Sequence, residues 1–103
     1  MSDSPAHLAF DALNAALKAA GEETRLRILA LVGEAELTVS DLTDILRQSQ
    51  PRISRHLKLL VEAGLIARFR EGAWAFFRLA EGDGAAELAR ALIERLDPKD
   101  AIV

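Results

Sequence analysis

The chain has 103 residues, half of them hydrophobic and 28% charged, which is the composition of one small globular domain. It contains no cysteine, which excludes disulfides, thiolate metal sites and thiol redox chemistry, and no apolar run approaches the roughly 18 residues that span a bilayer. Because the N-terminus also lacks the basic and apolar regions of a signal peptide, we expect a soluble, cytoplasmic protein without a membrane partner.

The formal net charge of −3 hides an uneven distribution along the chain. Residues 1–44 carry three basic and eight acidic side chains, residues 45–80 carry seven and two, and residues 81–103 carry three and six. From Ile45 to Val61 there is no carboxylate at all. A basic block between acidic flanks indicates either a surface for a polyanion or simply a solvated basic face.

The first two predicted helices come from apolar spacing. Residues 7–20 repeat alanine and leucine at helical intervals and are followed by Gly21, a typical residue after a helix. The next segment, "EETRLRILALV", begins with acids and carries large apolar residues on more than one face before Gly33. We therefore predict a second helix that is central and largely buried.

Capping residues predict where the next two helices begin. Thr38 and Asp41 have the spacing of a capping box, with Asp in place of Glu, at the start of a short third helix. Ser49 can cap a fourth helix, with Pro51 in its first turn and Gly64 at its end. Two helices separated by a short turn predict a helix-turn-helix over residues 38–63.

The fourth helix has two distinct faces when it is drawn at 100° per residue. The side chains predicted to face the core are Ile53, Leu57, Leu60 and Val61. Those predicted to lie roughly opposite are Pro51, Arg52, Arg55 and Lys58. A basic second helix that presents its cations to solvent is typical of a recognition helix.

Residues 65–79 predict a β-hairpin, since apolar and aromatic runs flank Glu71 and Gly72. A hairpin after a recognition helix is a wing. Its predicted cations are Arg68, Arg70 and Arg78, and its predicted core residues are Phe69, Phe76 and Phe77. Trp74 near the tip fits either packing on the hairpin or contact with a nucleic acid or another partner.

The segments "TRLRILALV", "QSQPRISRHLKLL" and "EAGLI", followed by the wing, resemble bacterial transcriptional repressors of the ArsR/SmtB type over residues 8–96. The resemblance implies a mainly α fold with a small β-hairpin, in the order α1-α2-α3-α4-β1-β2-α5. It also implies a single winged helix-turn-helix domain, a homodimer formed by α1 and α5, double-stranded DNA as partner, and release of the DNA when an effector binds.

The N-terminal half of the fourth helix is expected to enter the major groove of DNA. Gln50 and Arg52 are the leading candidates for base contacts, since Gln can pair with adenine and Arg with guanine. His56 lies at the edge of the apolar arc, which favours packing over base contact. Ser49 serves as a cap or a contact. The full predicted DNA-binding set is Gln48, Ser49, Gln50, Arg52, Ser54, Arg55, His56, Lys58, Arg68, Arg70 and Gly72.

The predicted dimer helices are residues 7–20 and 83–96, which repeat the same apolar spacing. Small alanines would permit close approach of the two helices, although both stripes could instead pack within their own domain. The predicted interface residues are Leu13, Ala16, Leu17, Ala89, Leu92, Ile93 and Leu96.

The sequence lacks the metal-binding residues of the metal-sensing members of the family it resembles. Thr38 and Ser40 stand where such members carry cysteines, and residues 83–96 contain no histidine. Hydroxyls do not replace thiolates for a soft metal, so we predict no metal site, no cofactor and an effector of unknown chemistry.

Three alternatives remain at this point. The segment also resembles the DNA-binding domain of regulators fused to S-adenosylmethionine-dependent methyltransferases, and the apolar tail after Pro98 would then lead into an absent effector domain. A winged helix that binds a protein instead of DNA is the second alternative. An enzyme is the third and is disfavoured, since paired histidines and a phosphate-binding glycine loop are both missing.

Overall fold

The computed structural model describes residues 7–97 and 99–100, and within them it contains five helices and one two-stranded antiparallel sheet. The elements are α1 Phe10–Ala20, α2 Glu23–Val32, α3 Val39–Leu46, α4 Gln50–Glu62, β1 Ile66–Glu71, β2 Trp74–Leu79 and α5 Ala85–Glu94. The element order is the predicted one, so the winged helix-turn-helix fold is confirmed. Residues 1–6, Pro98 and residues 101–103 lie outside the described part, and the predicted tail falls mostly there.

The core is centred on α2, as its apolar pattern predicted. Ile28 and Leu29 are fully buried, and the third and fourth helices pack on them through Leu42, Ile53 and Leu60. The buried part of α4 is therefore one narrow stripe, which leaves the opposite side of that helix in solvent.

Local capping chemistry fixes the ends of the helix-turn-helix. The Thr38 hydroxyl accepts a hydrogen bond from the Asp41 backbone N–H at 3.1 Å, and the Asp41 carboxylate accepts one from the Thr38 N–H at 2.9 Å. This reciprocal pair is the predicted capping box. Arg47 ends α3 in the left-handed region, at φ 57°, and the turn to Ser49 follows directly.

The end of α4 is followed closely by a glycine whose replacement would strain the backbone and crowd α5. Gly64 has φ +80°, and a Cβ built on it would lie 3.2 Å from the Cβ of Ala85 on α5. The absence of a side chain therefore allows both the left-handed turn and the close approach of the last helix.

The hairpin pairs Glu71 with Trp74 across a two-residue turn, with φ +61° at Gly72. The middle of β2 is tied to the segment before α3, because Leu37 and Phe77 exchange two backbone hydrogen bonds of 3.1 and 2.8 Å. The sequence did not predict this isolated bridge, in which Leu37 pairs with β2 as a short third strand would.

Three apolar residues lie elsewhere than predicted. Val61 is 37% exposed, because it lies at the edge of the apolar arc of α4 and lines the groove between α4 and the hairpin. Phe77 is buried as expected, but Phe69 and Phe76 are only half-buried. Their rings stack on each other with centroids 5.7 Å apart on the opposite face of the hairpin, because they alternate with Phe77 along the strands.

Candidate nucleic-acid interface

The exposed face of α4 presents cations without compensating carboxylates. Arg52 and Arg55 are both exposed, and in the described part of the chain neither guanidinium has a hydrogen-bond or ion-pair partner. The first carboxylate on the helix is Glu62, at its last residue. Two free guanidiniums on a protruding helix are suited to bind phosphates or base edges.

At the N-terminus of α4 the polar side chains are already oriented by local hydrogen bonds. The Ser49 hydroxyl accepts from the Arg52 backbone N–H at 3.4 Å, which is the cap geometry. Gln50 donates from Nε2 to the Ser54 hydroxyl at 3.0 Å, one turn further on. Ser49 is therefore a cap in this structure. The side-chain amide of the exposed Gln50 is oriented by its hydrogen bond to Ser54.

Gln48 anchors the turn between the two helices. Its Nε2 donates to the Thr24 hydroxyl of α2 at 3.0 Å, and the side chain is half-buried. Gln48 was predicted to bind DNA, but this bond directs its amide toward the body of the domain. Its position in the turn gave no signal of that long-range partner.

His56 also faces the body of the domain. An Arg25 guanidinium nitrogen lies 3.2 Å from Nδ1 of the half-buried His56, and the Glu22 carboxylate lies 3.9 Å from the same atom. This supports the packing interpretation over base contact. Burial is the main cause that lowers the pKa of His56 below its ordinary value, with Arg25, Arg52 and Arg55 acting in the same direction and Glu22 against them.

The wing places Arg68 and Arg70 on the face that carries Phe77 and continues toward α4. Arg68 and Lys58 line opposite sides of a groove of about 480 Å³ between α4 and the wing, with an apolar floor. Lys58 lies 4.0 Å from the carboxylate of Glu62. The groove therefore brings two cations together, one of them partly neutralised by an acidic neighbour.

Arg78 does not join this basic surface. Its guanidinium lies 4.4 Å from the ring centroid of Phe69 and 3.5 Å from the Glu36 carboxylate, on the other face of the hairpin. The expectation that Arg78 adds positive charge to the wing is thus wrong, because a cation–π contact and an ion pair occupy it. Trp74 is 62% exposed on that same face, beside Phe76.

Gly72 forms the tip of the wing, and a Cβ built there would have no atom within 4 Å. The tip is therefore narrow and open, so it can approach a surface closely without steric conflict.

The predicted dimer residues divide into two groups. Ala16 and Ala89 are completely buried inside the single chain, so they offer no surface to a partner and their assignment is corrected. Leu13 and Leu17 are exposed on α1 and continue an apolar stripe that begins at Phe10. Phe10 is 81% exposed and was not among the predicted interface residues. On the side of α5, the predicted residues are half-buried: Leu92, Ile93 and Leu96.

Within residues 7–97 and 99–100 no group of three or more histidine, aspartate or glutamate side chains could hold a metal ion. In the same residues no helix is long and apolar enough to cross a membrane.

A helix-turn-helix with an exposed basic second helix, flanked by a hairpin wing, defines the class of winged helix-turn-helix transcriptional regulators, not a class of enzymes. The pattern of the family described as "Bacterial regulatory protein, arsR family" matches residues 22–68. The chain is also 30% identical to the solved structure of an ArsR-like transcriptional regulator from Rhodococcus sp. RHA1, with a TM-score of 0.68 over 84% of this chain and 79% of that one. The chain belongs to the arsR family.

Two further relatives are informative. The arsenical resistance operon repressor of Escherichia coli is 50% identical over 64 residues, which are 61% of this chain and 55% of that protein, so the match spans about half the length of the relative. A winged helix-turn-helix fragment from Mycobacterium bovis, solved as a homodimer, is 28% identical with a TM-score of 0.71, over 82% of this chain and 76% of that one.

Proposed function

We propose that this chain is a homodimeric repressor that binds an inverted-repeat DNA operator in the cytoplasm through α4 and the wing. The observation that carries the proposal is the face of α4, where Arg52 and Arg55 stand exposed and unpaired within the described residues of an acidic protein. Charge segregation of this kind lets a protein of net charge −3 bind a polyanion.

The exposed residues have distinct proposed roles. Gln50 and Arg52 contact base edges, because they stand at the N-terminal turn of α4 that leads into the major groove. Ser54 accompanies Gln50 as its hydrogen-bond partner. The proposed phosphate contacts are Arg55, Lys58, Arg68 and Arg70, which position the duplex without reading its sequence.

The exposed stripe on α1 and the homodimeric relative support a dimer. Two recognition helices related by a twofold axis would enter successive major grooves about 34 Å apart. The operator would then consist of two inverted half-sites separated by one turn of DNA.

The test begins with selection of bound duplexes from a random-sequence pool by the wild-type protein. Fluorescence anisotropy then measures the affinity of wild type and of Arg52→Ala for the selected duplex and for a scrambled one. We expect Arg52→Ala to lose about 1–3 kcal/mol of discrimination between the selected and the scrambled duplex, which corresponds to one base contact. Arg27→Ala removes an equal charge from the α2 pair with Glu23 and serves as the control.

Salt dependence separates DNA binding from other uses of the domain. Release of counterions predicts a steep linear fall of log affinity with log salt concentration. A slope near zero, or equal affinity of wild type and Arg52→Ala for the selected duplex, would refute the proposed interface.

A second candidate, a protein-binding module, is favoured by one feature only. Trp74 is 62% exposed beside the stacked Phe69 and Phe76, on the hairpin face that points away from the basic groove. If this were the working surface, Trp74→Ser would abolish the regulatory effect while the affinity for DNA stayed unchanged.

For the signal that releases DNA, the sequence-based prediction stands as a proposal: an effector other than a thiol oxidant or a soft metal, since the 103 residues contain no cysteine. Isothermal titration with Zn²⁺ tests it, and tight stoichiometric binding would contradict it.

A further inference from the structure

The half-buried guanidinium of Arg25 joins three helices behind the proposed recognition surface. Arg25 of α2 donates from Nε to the carbonyl oxygen of Ala19 at 2.6 Å, in the last turn of α1. The same side chain places a terminal nitrogen 3.2 Å from Nδ1 of His56 on α4. One residue therefore bonds the end of α1 and the middle of α4 at the same time.

The chemistry of the pair determines its protonation state. A guanidinium carries only donors, so Nδ1 of His56 must be an unprotonated acceptor and the neutral ring carries its proton on Nε2. Glu22 cannot bond to this unprotonated atom, although its carboxylate lies 3.9 Å away. Protonation of Nδ1 would remove the acceptor for Arg25 and create a donor that is attracted by Glu22 instead.

The position of the pair on α4 links it to the DNA face. His56 lies one helical turn after Arg52 and directly follows Arg55, and these two guanidiniums are the free cations of the exposed face. A helix held only by an apolar stripe can roll about that stripe, whereas a directional hydrogen bond at its edge fixes the angle. A small roll of α4 would move Gln50 and Arg52 relative to the bases they are proposed to contact.

We propose that Arg25 and His56 act as positioning residues that fix the roll of α4, so that their hydrogen bond sets the sequence selectivity of DNA binding. The proposal rests on the DNA-binding function proposed above. Both side chains are half-buried and are directed toward each other between α2 and α4, so their proposed effect on DNA is indirect.

The pair makes selectivity depend on pH. The charged groups that face His56 are Glu22 at the N-cap of α2, Arg25 from α2, and Arg52 and Arg55 from its own helix. Because burial lowers the pKa of His56 below about 6.5, the unfolded chain takes up the proton first as pH falls. The contribution of neutral His56 to the stability of the folded state is thus fully present above about pH 6.5, and it is lost as the pH falls toward the pKa of His56 in the folded protein.

The central experiment compares two substitutions of His56. Asparagine places its carbonyl oxygen near the position of Nδ1 and cannot be protonated, whereas leucine has no acceptor. At pH 8 we expect His56→Asn to bind the selected duplex within about twofold of wild type, and His56→Leu to lose about tenfold in the ratio of selected to scrambled affinity, the equivalent of one base contact.

The pH series is the readout that a purely structural role would not move. As the pH falls from about 8 to the lowest value at which circular dichroism shows both proteins folded, the selectivity ratio of wild type should fall relative to that of His56→Asn. A rise in wild-type affinity at low pH relative to His56→Asn would mean that the added charge acts directly on DNA, and it would overturn the proposal.

A charge-matched pair of variants on α2 completes the test. Arg25→Met and Arg27→Met each remove one cation, but only Arg25 contacts His56, while Arg27 pairs with the exposed Glu23 at 2.9 Å. We expect about a tenfold loss of selectivity for Arg25→Met and less than twofold for Arg27→Met. Equal selectivity of the two would overturn the proposal, whereas wild-type protein that binds no duplex in a salt-dependent way would refute the DNA-binding function itself.

Discussion

The substitution Leu17→Glu tests whether α1 provides the dimer interface. Leu17 is 47% exposed in the single chain, in a stripe with Phe10 and Leu13. Complete burial of a leucine side chain contributes about 1.5–3 kcal/mol, so covering the exposed half contributes about 1 kcal/mol per copy. A twofold dimer contains the residue twice, which gives about 2 kcal/mol from this position.

Replacing the side chain by glutamate removes that contribution and places two carboxylates where water is excluded. We expect the dissociation constant of the dimer to rise by at least about 30-fold, since 1.4 kcal/mol corresponds to a factor of ten. Sedimentation velocity over a range of protein concentrations measures the change directly. The affinity for the selected duplex should fall with it, because each monomer reads only one half-site.

Leu26→Glu is the matched control, because Leu26 is 38% exposed on α2, outside the proposed interface. It should leave the dimer constant unchanged, and both variants should unfold as cooperatively as wild type. If Leu17→Glu sedimented as wild type does, or if Leu26→Glu dissociated the dimer equally, the assignment of α1 would be refuted.

Three further substitutions test the recognition helix and its supports. Glu62→Gln should free Lys58, which lies 4.0 Å from the Glu62 carboxylate. Because an exposed ion pair contributes at most about 1 kcal/mol, we expect DNA affinity at low salt to rise up to about fivefold in anisotropy titrations. An effect no larger than that of the control Glu23→Gln would contradict this expectation. Thr38→Ala should lower the free energy of unfolding by about 1 kcal/mol in urea titrations through loss of the capping box, and unchanged stability would show that α3 does not need it. Gly64→Ala should lower the free energy of unfolding by about 1–2 kcal/mol, because φ is +80° and Ala85 is close. Gly72→Ala, at an open position, should lower the unfolding temperature less, and the reverse order of the two unfolding temperatures would refute the packing argument.

The features that the sequence predicted are those determined by neighbours in the chain. The capping box of Thr38 and Asp41, the Ser49 cap and the two faces of α4 depend on spacings of three or four residues, and the structure shows all of them. The element order follows from the same local signals.

The features that were missed depend on partners that are distant in the chain. Gln48 looks like a polar residue of the turn before a basic helix, and only its bond to Thr24 directs it inward. For His56 the spacing indicated packing, but it gave no sign of the partner Arg25. Arg78 similarly looks like a free cation until Glu36, 42 residues away, is seen beside it.

The apolar stripes of the terminal helices were ambiguous for a different reason. An alanine at helical spacing looks the same whether it faces its own core or a partner subunit. Ala16 proved to be fully buried, whereas Phe10, just three residues before Leu13, is the most exposed large apolar residue described. Sequence spacing predicts that a face is covered, but not by what.

The exchange of two backbone hydrogen bonds between Leu37 and Phe77 has a mechanical consequence. Leu37 directly precedes the cap of α3, so these bonds connect the hairpin to the helix-turn-helix. The wing cannot swing aside by itself without breaking those bonds. In the proposed dimer, we therefore expect an effector to release DNA by changing the spacing and angle between the two subunits, while each subunit keeps its shape.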